Sequence, residues 1–261
     1  MTQSWATPLG DGGKMVIERG EGSAVGETGT KRMIGRALRV TLIVALTIGC
    51  GDQDETREQE KPEARVQLVP PRHQSDVSVE EALLNRRSVR EYTGAALTLA
   101  EVSQLLWAAQ GTTNDQGFRT APSAGALYPL EVYVVVGDVT GLAPGVYRYV
   151  PDDHEMVAVA PEDRRDELAE AAVDQEWVEE AALDLVFTAV PERTTSQYGD
   201  RGVRYVWTEA GHAAQNVYLQ AATLGLGVTV IGAFDDDRVH DIVAASDEEE
   251  PLYVISVGRK A

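Results

Sequence analysis

The stretch RTAPSAGALYPLEVYVVVG, residues 119–137, decides how this chain is expected to fold. Its second half is β-branched and lies between Pro129 and Gly137, which predicts a strand over residues 130–138. Its first half is a loop of small residues that runs directly into that strand: Pro122, Ser123, Ala124 and Gly125, followed by Leu127. Small residues let the backbone approach a flat ligand closely, so the loop is a candidate binding surface.

A basic stretch, NRRSVREY at residues 85–92, precedes this loop and supplies Arg86, Arg87, Ser88 and Arg90. A second basic pair, Arg259 and Lys260, stands near the end of the chain. The chain as a whole is acidic, with 23 Lys and Arg against 42 Asp and Glu and a formal net charge of −19. Such a charge disfavours nucleic acid and anionic membranes as partners. Clustered positive charge in this background indicates an anion site, with solvated surface arginines as the alternative.

Hydrophobic periodicity predicts helices and strands from Val79 to the end of the chain. Ser78 and Glu81 predict the start of the first helix, and Thr98 and Gly111 bound the second. Further helices are predicted over 162–173, 208–227 and 235–245. Strands are predicted over 130–138, 145–150, 154–160, 182–190, 227–232 and 252–258. Because hairpins and crossovers are mixed, the pattern indicates an α+β fold.

The chain begins with a segment that is typical of a leader. A basic region precedes a short apolar run that ends at Cys50, as in a signal peptide, and Met33 makes a better start than Met1. The segment resembles a lipoprotein lipobox, with Thr47 where Leu is usual. We expect an exported lipoprotein anchored to the membrane through Cys50, or a cytoplasmic protein if the start is misassigned.

The predicted domain organisation follows from this change in composition. Residues 51–78 are charged and lack apolar periodicity, which predicts a flexible acidic linker. The remaining length suffices for one well-buried core. The expected parts are an N-terminal extension of uncertain role at 1–32, a signal or lipobox-like segment at 33–50, the linker at 51–78 and a globular domain at 79–261.

Several common catalytic motifs do not occur anywhere in the sequence. There is no GxGxxG, GxxxxGK[ST], HExxH, CxxC or GxSxG, and Cys50 is the only cysteine. The four histidines lie far apart without metal-ligand spacing, and His212 is interpreted as a packing residue. These absences disfavour a Rossmann dinucleotide site, a metal centre and a cysteine nucleophile. A flavin is the candidate cofactor that remains.

A flavin mononucleotide needs a site with three parts. Its phosphate requires Arg side chains, which the 86–90 stretch supplies. Its ring requires a flat slot between small residues, which 122–125 and the pair Gly232-Ala233 supply. The N1/C2 end of the ring requires positive charge, because the reduced ring is anionic there.

Four segments together resemble the nitroreductase superfamily, specifically its SagB-type dehydrogenase branch. They are NRRSVREY, APSAGALYPLEVYVVV, EAGHAAQNVYLQAATLGLG and IGAFDDDRV, and their order runs through nearly all of 79–261. The resemblance implies an FMN-dependent homodimer with a central, mainly antiparallel sheet flanked by helices. It also implies a flavin at the subunit interface, with NADH or NADPH as a possible reductant.

The resemblance assigns roles to residues of this chain. The Arg-Arg-Ser-x-Arg segment would bind the phosphate and part of the ring, through Arg86, Arg87, Ser88 and Arg90. The PSAG segment would line the flavin from the other subunit, through Pro122, Ser123, Ala124, Gly125 and Leu127. Gly232, Ala233 and Phe234 would lie by the reactive edge of the ring, and Arg259 and Lys260 would supply the last phosphate contacts.

One departure from the branch concerns proton transfer. Members that oxidise peptide azolines carry Lys-Tyr at the place where this chain reads SQYGDRGVRY, so Gln197 replaces the lysine and Tyr198 stays. A glutamine does not act as a base at neutral pH, which disfavours azoline dehydrogenation. Tyr198 is the candidate catalytic residue, with a packed loop tyrosine as its alternative. The competing functions are an exported flavin-binding module with weak or no turnover, an azoline dehydrogenase, and a dimeric scaffold that has lost FMN.

Overall fold

The structure is a computed structural model that describes residues 64–261. The predicted extension, the signal segment, the Cys50 anchor and the first part of the predicted linker lie outside these residues. Within the described range, no helix is both long enough and apolar enough to cross a membrane.

An antiparallel sheet of seven strands forms the centre of the described domain. The strands of residues 64–261 are β1 Arg65–Gln67, β2 Leu97–Thr98, β3 Leu130–Val136, β4 Val139–Thr140, β5 Gly145–Val150, β6 Glu155–Pro161, β7 Leu183–Ala189, β8 Leu226–Ile231 and β9 Glu250–Arg259. The order across the main sheet is β1-β6-β5-β3-β7-β9-β8, and every neighbouring pair is antiparallel. The short strands β2 and β4 pair with each other in parallel.

Helices cover both faces of this sheet. They are α1 Val79–Asn85, α2 Leu99–Gln110, α3 Arg165–Ala171, α4 Glu176–Glu180, α5 Glu192–Tyr198, α6 Arg201–Leu224 and α7 Asp236–Val243. Apolar residues of α2 and α6 pack against one face, and those of α3, α4 and α7 pack against the other. The predicted α+β fold with a mainly antiparallel sheet between helices is therefore confirmed.

Local sequence signals explain how the site-bearing helices begin and end. Ser78 caps α1 by accepting a hydrogen bond from the Glu81 backbone N–H at 3.1 Å. Thr98 and Glu101 form a complete capping box at the start of α2, which ends at Gly111 as predicted. Strand β7 is buried along its whole length because it lies between β3 and β9 and is covered on both faces, which explains its unbroken apolar run.

Two helix predictions need correction. Helix α3 starts at Arg165, because Pro161 ends strand β6 instead of starting the helix. Helix α6 starts at Arg201, two turns before the predicted residue 208, and it is not buried all round. His212 lies on its exposed side, so the interpretation of this residue as a packing histidine was wrong.

The linker predicted for residues 51–78 also needs correction in its described part. Strand β1 pairs with β6 and thereby extends the sheet. Leu68 follows it and is only 3% exposed. The apolar residues Val66 and Leu68 alternate with polar ones in this charged stretch, which is the pattern of an edge strand. The folded domain therefore includes residues that precede Val79.

Candidate functional site

The basic stretch lies along the β8 edge of the sheet. Ser88 forms a parallel bridge with Val228, and the Val89 N–H donates to the Val228 carbonyl at 2.9 Å. Tyr92 forms an antiparallel bridge with Lys260 near the chain end. Backbone pairing therefore fixes the direction of the stretch, and it places the predicted first and last phosphate-binding segments side by side.

Two glycines allow this close approach. Gly227 of β8 and Gly258 of β9 stand directly opposite each other in the sheet. A Cβ on Gly227 would lie 2.7 Å from Cγ1 of Val89, and one on Gly258 would lie 2.7 Å from Cδ1 of Tyr92. Any larger residue would push the basic stretch off the sheet. The sequence analysis missed this pair, although a glycine inside each of two predicted strands was a signal for it.

The cations of this edge are free of acidic partners. Within residues 64–261, no carboxylate lies within ion-pair distance of Arg86, Arg87, Arg90 or Lys260. Arg86, Arg87 and Lys260 line one small hollow together with Tyr218 of α6. Unpaired cations in such an acidic chain point to an anionic ligand.

Aromatic side chains orient two of these cations. The Arg86 guanidinium lies 5.1 Å from the centre of the Tyr218 ring, and that of Arg90 lies 5.3 Å from the centre of Trp177. The Tyr218 hydroxyl lies 2.9 Å from the Ser88 hydroxyl and accepts a hydrogen bond from the Val230 N–H. Tyr218 thus joins the basic stretch, α6 and β8, and the sequence analysis did not identify it.

Arg259 does not belong to this set. Its guanidinium donates to both carboxylate oxygens of Glu101, each at 2.9 Å. Burial alone would raise the pKa of Glu101, but hydrogen bonds from Thr98 and Arg259 together lower it. Arg259 therefore ties the start of α2 to the end of β9. Because Glu101 occupies the Arg259 guanidinium in this structure, a phosphate contact of Arg259 stays a prediction.

The small-residue loop forms a strained turn that meets the end of α5. Gly125 has φ +63° inside the short 3₁₀ turn Ala124–Ala126, and Ala126 and Tyr128 also have positive φ. A Cβ on Gly125 would lie 2.9 Å from the Tyr198 hydroxyl and 3.2 Å from Oε1 of Gln197. The structure thus brings the loop of residues 122–128 together with Tyr198 and Gln197.

A buried carboxyl group lies behind this loop. Glu209 of α6 is only 2% exposed, and its Oε1 has no hydrogen-bond partner within residues 64–261. Burial raises the pKa of Glu209 to about 7, opposed by a hydrogen bond from Ser123 and by the charge of Arg119. The sequence analysis missed Glu209, because a single glutamate in a helix is usually solvated.

The predicted Gly232-Ala233 segment continues from the β8 edge. Both residues directly follow β8 and are exposed, whereas Phe234 packs into the core on the α3 and α7 face. The Ala233 carbonyl lies 3.4 Å from Nε2 of Gln175. Strand β8 thus runs beside Ser88 and ends at an accessible backbone with little side-chain bulk.

The two groups of predicted residues contact different parts of α6. The basic edge contacts α6 at Tyr218, and Glu209 is the α6 residue that lies near the loop of residues 122–128. These positions are nine residues apart, which is about 14 Å along a helix at 1.5 Å per residue. The structure thus has a cluster of cations beside β8, with the exposed Gly232 and Ala233 at the end of that strand, and a separate small-residue loop.

Comparisons with known proteins show the family to which the chain belongs. Residues 83–259 match the Nitroreductase family. A Methanocaldococcus jannaschii protein assigned by name to the nitroreductases is 50% identical over 185 residues, covering 71% of this chain and 92% of that protein. The chain therefore belongs to the nitroreductase family, and the predicted flavin-dependent oxidoreductase is confirmed at this level.

One further relative and two crystal structures are also similar to this chain. The FMN reductase (NADPH) of Bacillus subtilis is 24% identical over 195 residues, covering 69% of this chain and 65% of that protein. A crystal structure from Ralstonia eutropha, named for the same family, has a TM-score of 0.66 at 31% identity and covers 76% of this chain and 90% of that one. One from Anabaena variabilis has a TM-score of 0.68 at 32% identity, but this chain spans only 42% of its length.

Proposed function

We propose that the protein is an FMN-dependent oxidoreductase that takes its reducing equivalents from NADH or NADPH. The observation that carries the proposal is the set of cations at the β8 edge that lack acidic partners in a chain of net charge −19. The Bacillus subtilis relative, whose name gives FMN and NADPH, supports the same cofactor and donor. The bound flavin would supply the hydride chemistry.

The residues at the β8 edge would hold the two charged ends of FMN. Arg86, Arg87 and Lys260, which share one hollow, would bind the phosphate. Arg90, whose guanidinium lies over the Trp177 ring of α4, would place its charge near the N1/C2 end of the ring. The accessible backbone at Gly232 and Ala233 would let the ring edge approach closely.

We propose that the working unit is a homodimer. The loop of residues 122–128 and the basic edge lie against different parts of α6, about 14 Å apart along the helix, and in a homodimer the loop of one subunit would complete the flavin site of the other. Large apolar side chains are exposed on two helices: on α6, Val203 at 46% and Trp207 at 49%, and on α1, Leu83 at 53% and Leu84 at 71%. Such patches mark a protein–protein interface.

Tyr198 would be the polar group next to the substrate. Its hydroxyl lies beside Gly125 of the loop, and its ring meets that of Tyr205 edge-on at 5.2 Å. Gln197 occupies the neighbouring position and does not titrate, so we do not assign azoline oxidation to this site. We propose that the chain is related to the SagB-type branch. Its substrate would be a small molecule or a peptide that is reduced or oxidised over the flavin.

We also propose that the protein is exported and tethered through a lipid on Cys50. The basic and apolar run before Cys50 supports this location. Mass spectrometry of the protein from membranes would show a lipid-modified cysteine as the new N-terminus. An unmodified N-terminus upstream of Cys50 in the cytoplasmic fraction would contradict the proposal.

An anaerobic absorbance spectrum of the purified full chain tests the enzymatic function. We expect flavin bands that bleach on addition of NADH or NADPH, which would also identify the donor. A spectrum with flavin bands that neither donor bleaches would favour a flavin-binding module without turnover. A colourless protein that takes up no added FMN would contradict the cofactor assignment. It would leave the alternative of a dimeric scaffold that has lost FMN.

A further inference from the structure

Tyr92 ends the basic stretch and lies half-buried against the sheet. Its ring covers the two glycines near the start of β8 and the end of β9. A Cβ on Gly258 would lie 2.7 Å from Cδ1 of Tyr92, and one on Gly227 would lie 3.2 Å from its Cε1. The ring therefore rests on bare backbone, which brings its hydroxyl within reach of main-chain carbonyls.

The Tyr92 hydroxyl donates to two backbone carbonyls. It lies 2.9 Å from the Val89 carbonyl oxygen and 3.2 Å from the Ser256 carbonyl oxygen of β9. One donor shared between two acceptors forms a three-centre hydrogen bond. The Val89 contact closes a four-residue turn that contains Arg90, and the Ser256 contact fastens this turn to the sheet.

The backbone around Tyr92 pairs with the end of the chain. The Thr93 N–H donates to the Arg259 carbonyl at 3.0 Å, and Tyr92 itself forms the bridge with Lys260. Tyr92 is thus attached to both segments that supply the cations of the β8 edge. Its side chain anchors one segment, and its backbone anchors the other.

The hydroxyl acts here as a donor and not as an acid. Burial raises the pKa of Tyr92 above its usual value, so the group keeps its proton throughout the neutral range. A phenylalanine would keep the ring over both glycines and would remove the donor from the two carbonyls. The substitution Tyr92→Phe therefore separates the contribution of the hydroxyl from that of the ring.

We propose that Tyr92 is a positioning residue for the phosphate site, and that its hydroxyl fixes the arginines of residues 86–90 against the sheet beside Lys260. The proposal rests on the proposed function, since the position of these cations matters only if they bind the phosphate of FMN. Tyr92 acts through the cations and is assigned no contact with the ligand. Because several donors must converge on one phosphate, a small displacement of the stretch lowers the affinity for that charge.

The test compares the dissociation constants for FMN and for riboflavin in the full-length protein and its Tyr92→Phe variant. The two ligands differ only in the phosphate, so the ratio of their constants reports on the cations. We expect Tyr92→Phe to weaken FMN binding about fivefold, as for the loss of one hydrogen bond, and to change riboflavin binding by less than about twofold.

Tyr147→Phe is the matched control. Tyr147 of β5 is 7% exposed, and its hydroxyl donates to the Ala143 carbonyl at 2.9 Å. This variant loses the same kind of hydrogen bond, but three strands separate β5 from β8 in the sheet. Denaturant titration should show a similar small loss of stability in both variants, whereas only Tyr92→Phe should change the ratio of the two flavin constants.

The outcomes separate this inference from the proposed function. If the unmodified protein prefers FMN and Tyr92→Phe keeps the same ratio as Tyr147→Phe, the role of Tyr92 is overturned and the phosphate site stands. Equal weakening of both flavins by Tyr92→Phe would show that the residue supports only the fold, which also overturns the proposal. Equal affinities of the unmodified protein for the two flavins would instead contradict the proposed phosphate site, and the inference would fail with it.

Discussion

The basic edge and the loop of residues 122–128, which we propose to meet at one flavin in the dimer, are held by different forces. Backbone hydrogen bonds to β8 hold the basic stretch, and Gly227 and Gly258 give it room. A hydrogen bond from the Tyr128 N–H to the Ser123 hydroxyl closes the loop, and the buried Glu209 lies behind it. The first surface should therefore be sensitive to steric bulk beneath the basic stretch, whereas the region around the second should respond to the protonation of Glu209.

The largest effect is expected from adding bulk under the basic stretch. Gly258→Val would place a branched side chain where even one Cβ would lie 2.7 Å from the Tyr92 ring. The stretch would move off the sheet, and we expect FMN affinity to fall by about 100-fold or more. Flavin fluorescence titration measures this change.

Gly117→Asn is the control for this substitution. Gly117 has φ +75° with open space around it, and asparagine tolerates this conformation. Its FMN affinity should not change. Retention of normal FMN affinity by a folded Gly258→Val protein would show that the glycine pair does not define the site.

A smaller effect is expected at two neighbouring cations, Lys260 and Arg259, whose substitutions should have different consequences for FMN binding. Lys260→Ala removes a cation without an acidic partner, so FMN affinity should fall about tenfold while riboflavin affinity stays unchanged.

Arg259→Ala breaks the bidentate pair with Glu101 instead and should lower the free energy of unfolding by about 1–2 kcal/mol. Its ratio of riboflavin to FMN dissociation constants should stay within twofold of the unmodified protein. If Arg259→Ala weakened FMN binding relative to riboflavin binding and Lys260→Ala did not, Arg259 would be the phosphate ligand.

The smallest effect concerns stability at the loop. Because burial raises the pKa of Glu209 from 4.5 to about 7, the folded protein binds the proton more tightly than the unfolded chain does. This contribution to stability is full below about pH 4.5 and is lost as the pH rises through about 7, so the free energy of unfolding should decrease modestly over this range. Denaturant titrations at pH 5 and pH 8 should show this decrease, and Glu209→Gln should reduce it. Equal pH dependence in both proteins would contradict the assignment.

Local signals in the sequence predicted most of the helices and strands, and the two ligand surfaces stay predictions. The Ser78 and Thr98 caps, the strand after Pro129 and the basic stretch at 85–92 all follow from short-range chemistry, which one sequence carries. The Arg259–Glu101 pair and the Gly227–Gly258 platform depend on residues that only the folded chain brings together. For the same reason Glu209 was missed, since its burial follows from the packing of α6 behind the loop.

The most direct test of the account is the affinity of the unmodified protein for FMN and for riboflavin under the same conditions. The two ligands differ only in the phosphate that Arg86, Arg87 and Lys260 are proposed to bind. We expect FMN to bind about 100-fold more tightly, with the difference shrinking as salt is added. Equal affinities for the two flavins would contradict the assignment of the β8 edge as the phosphate site.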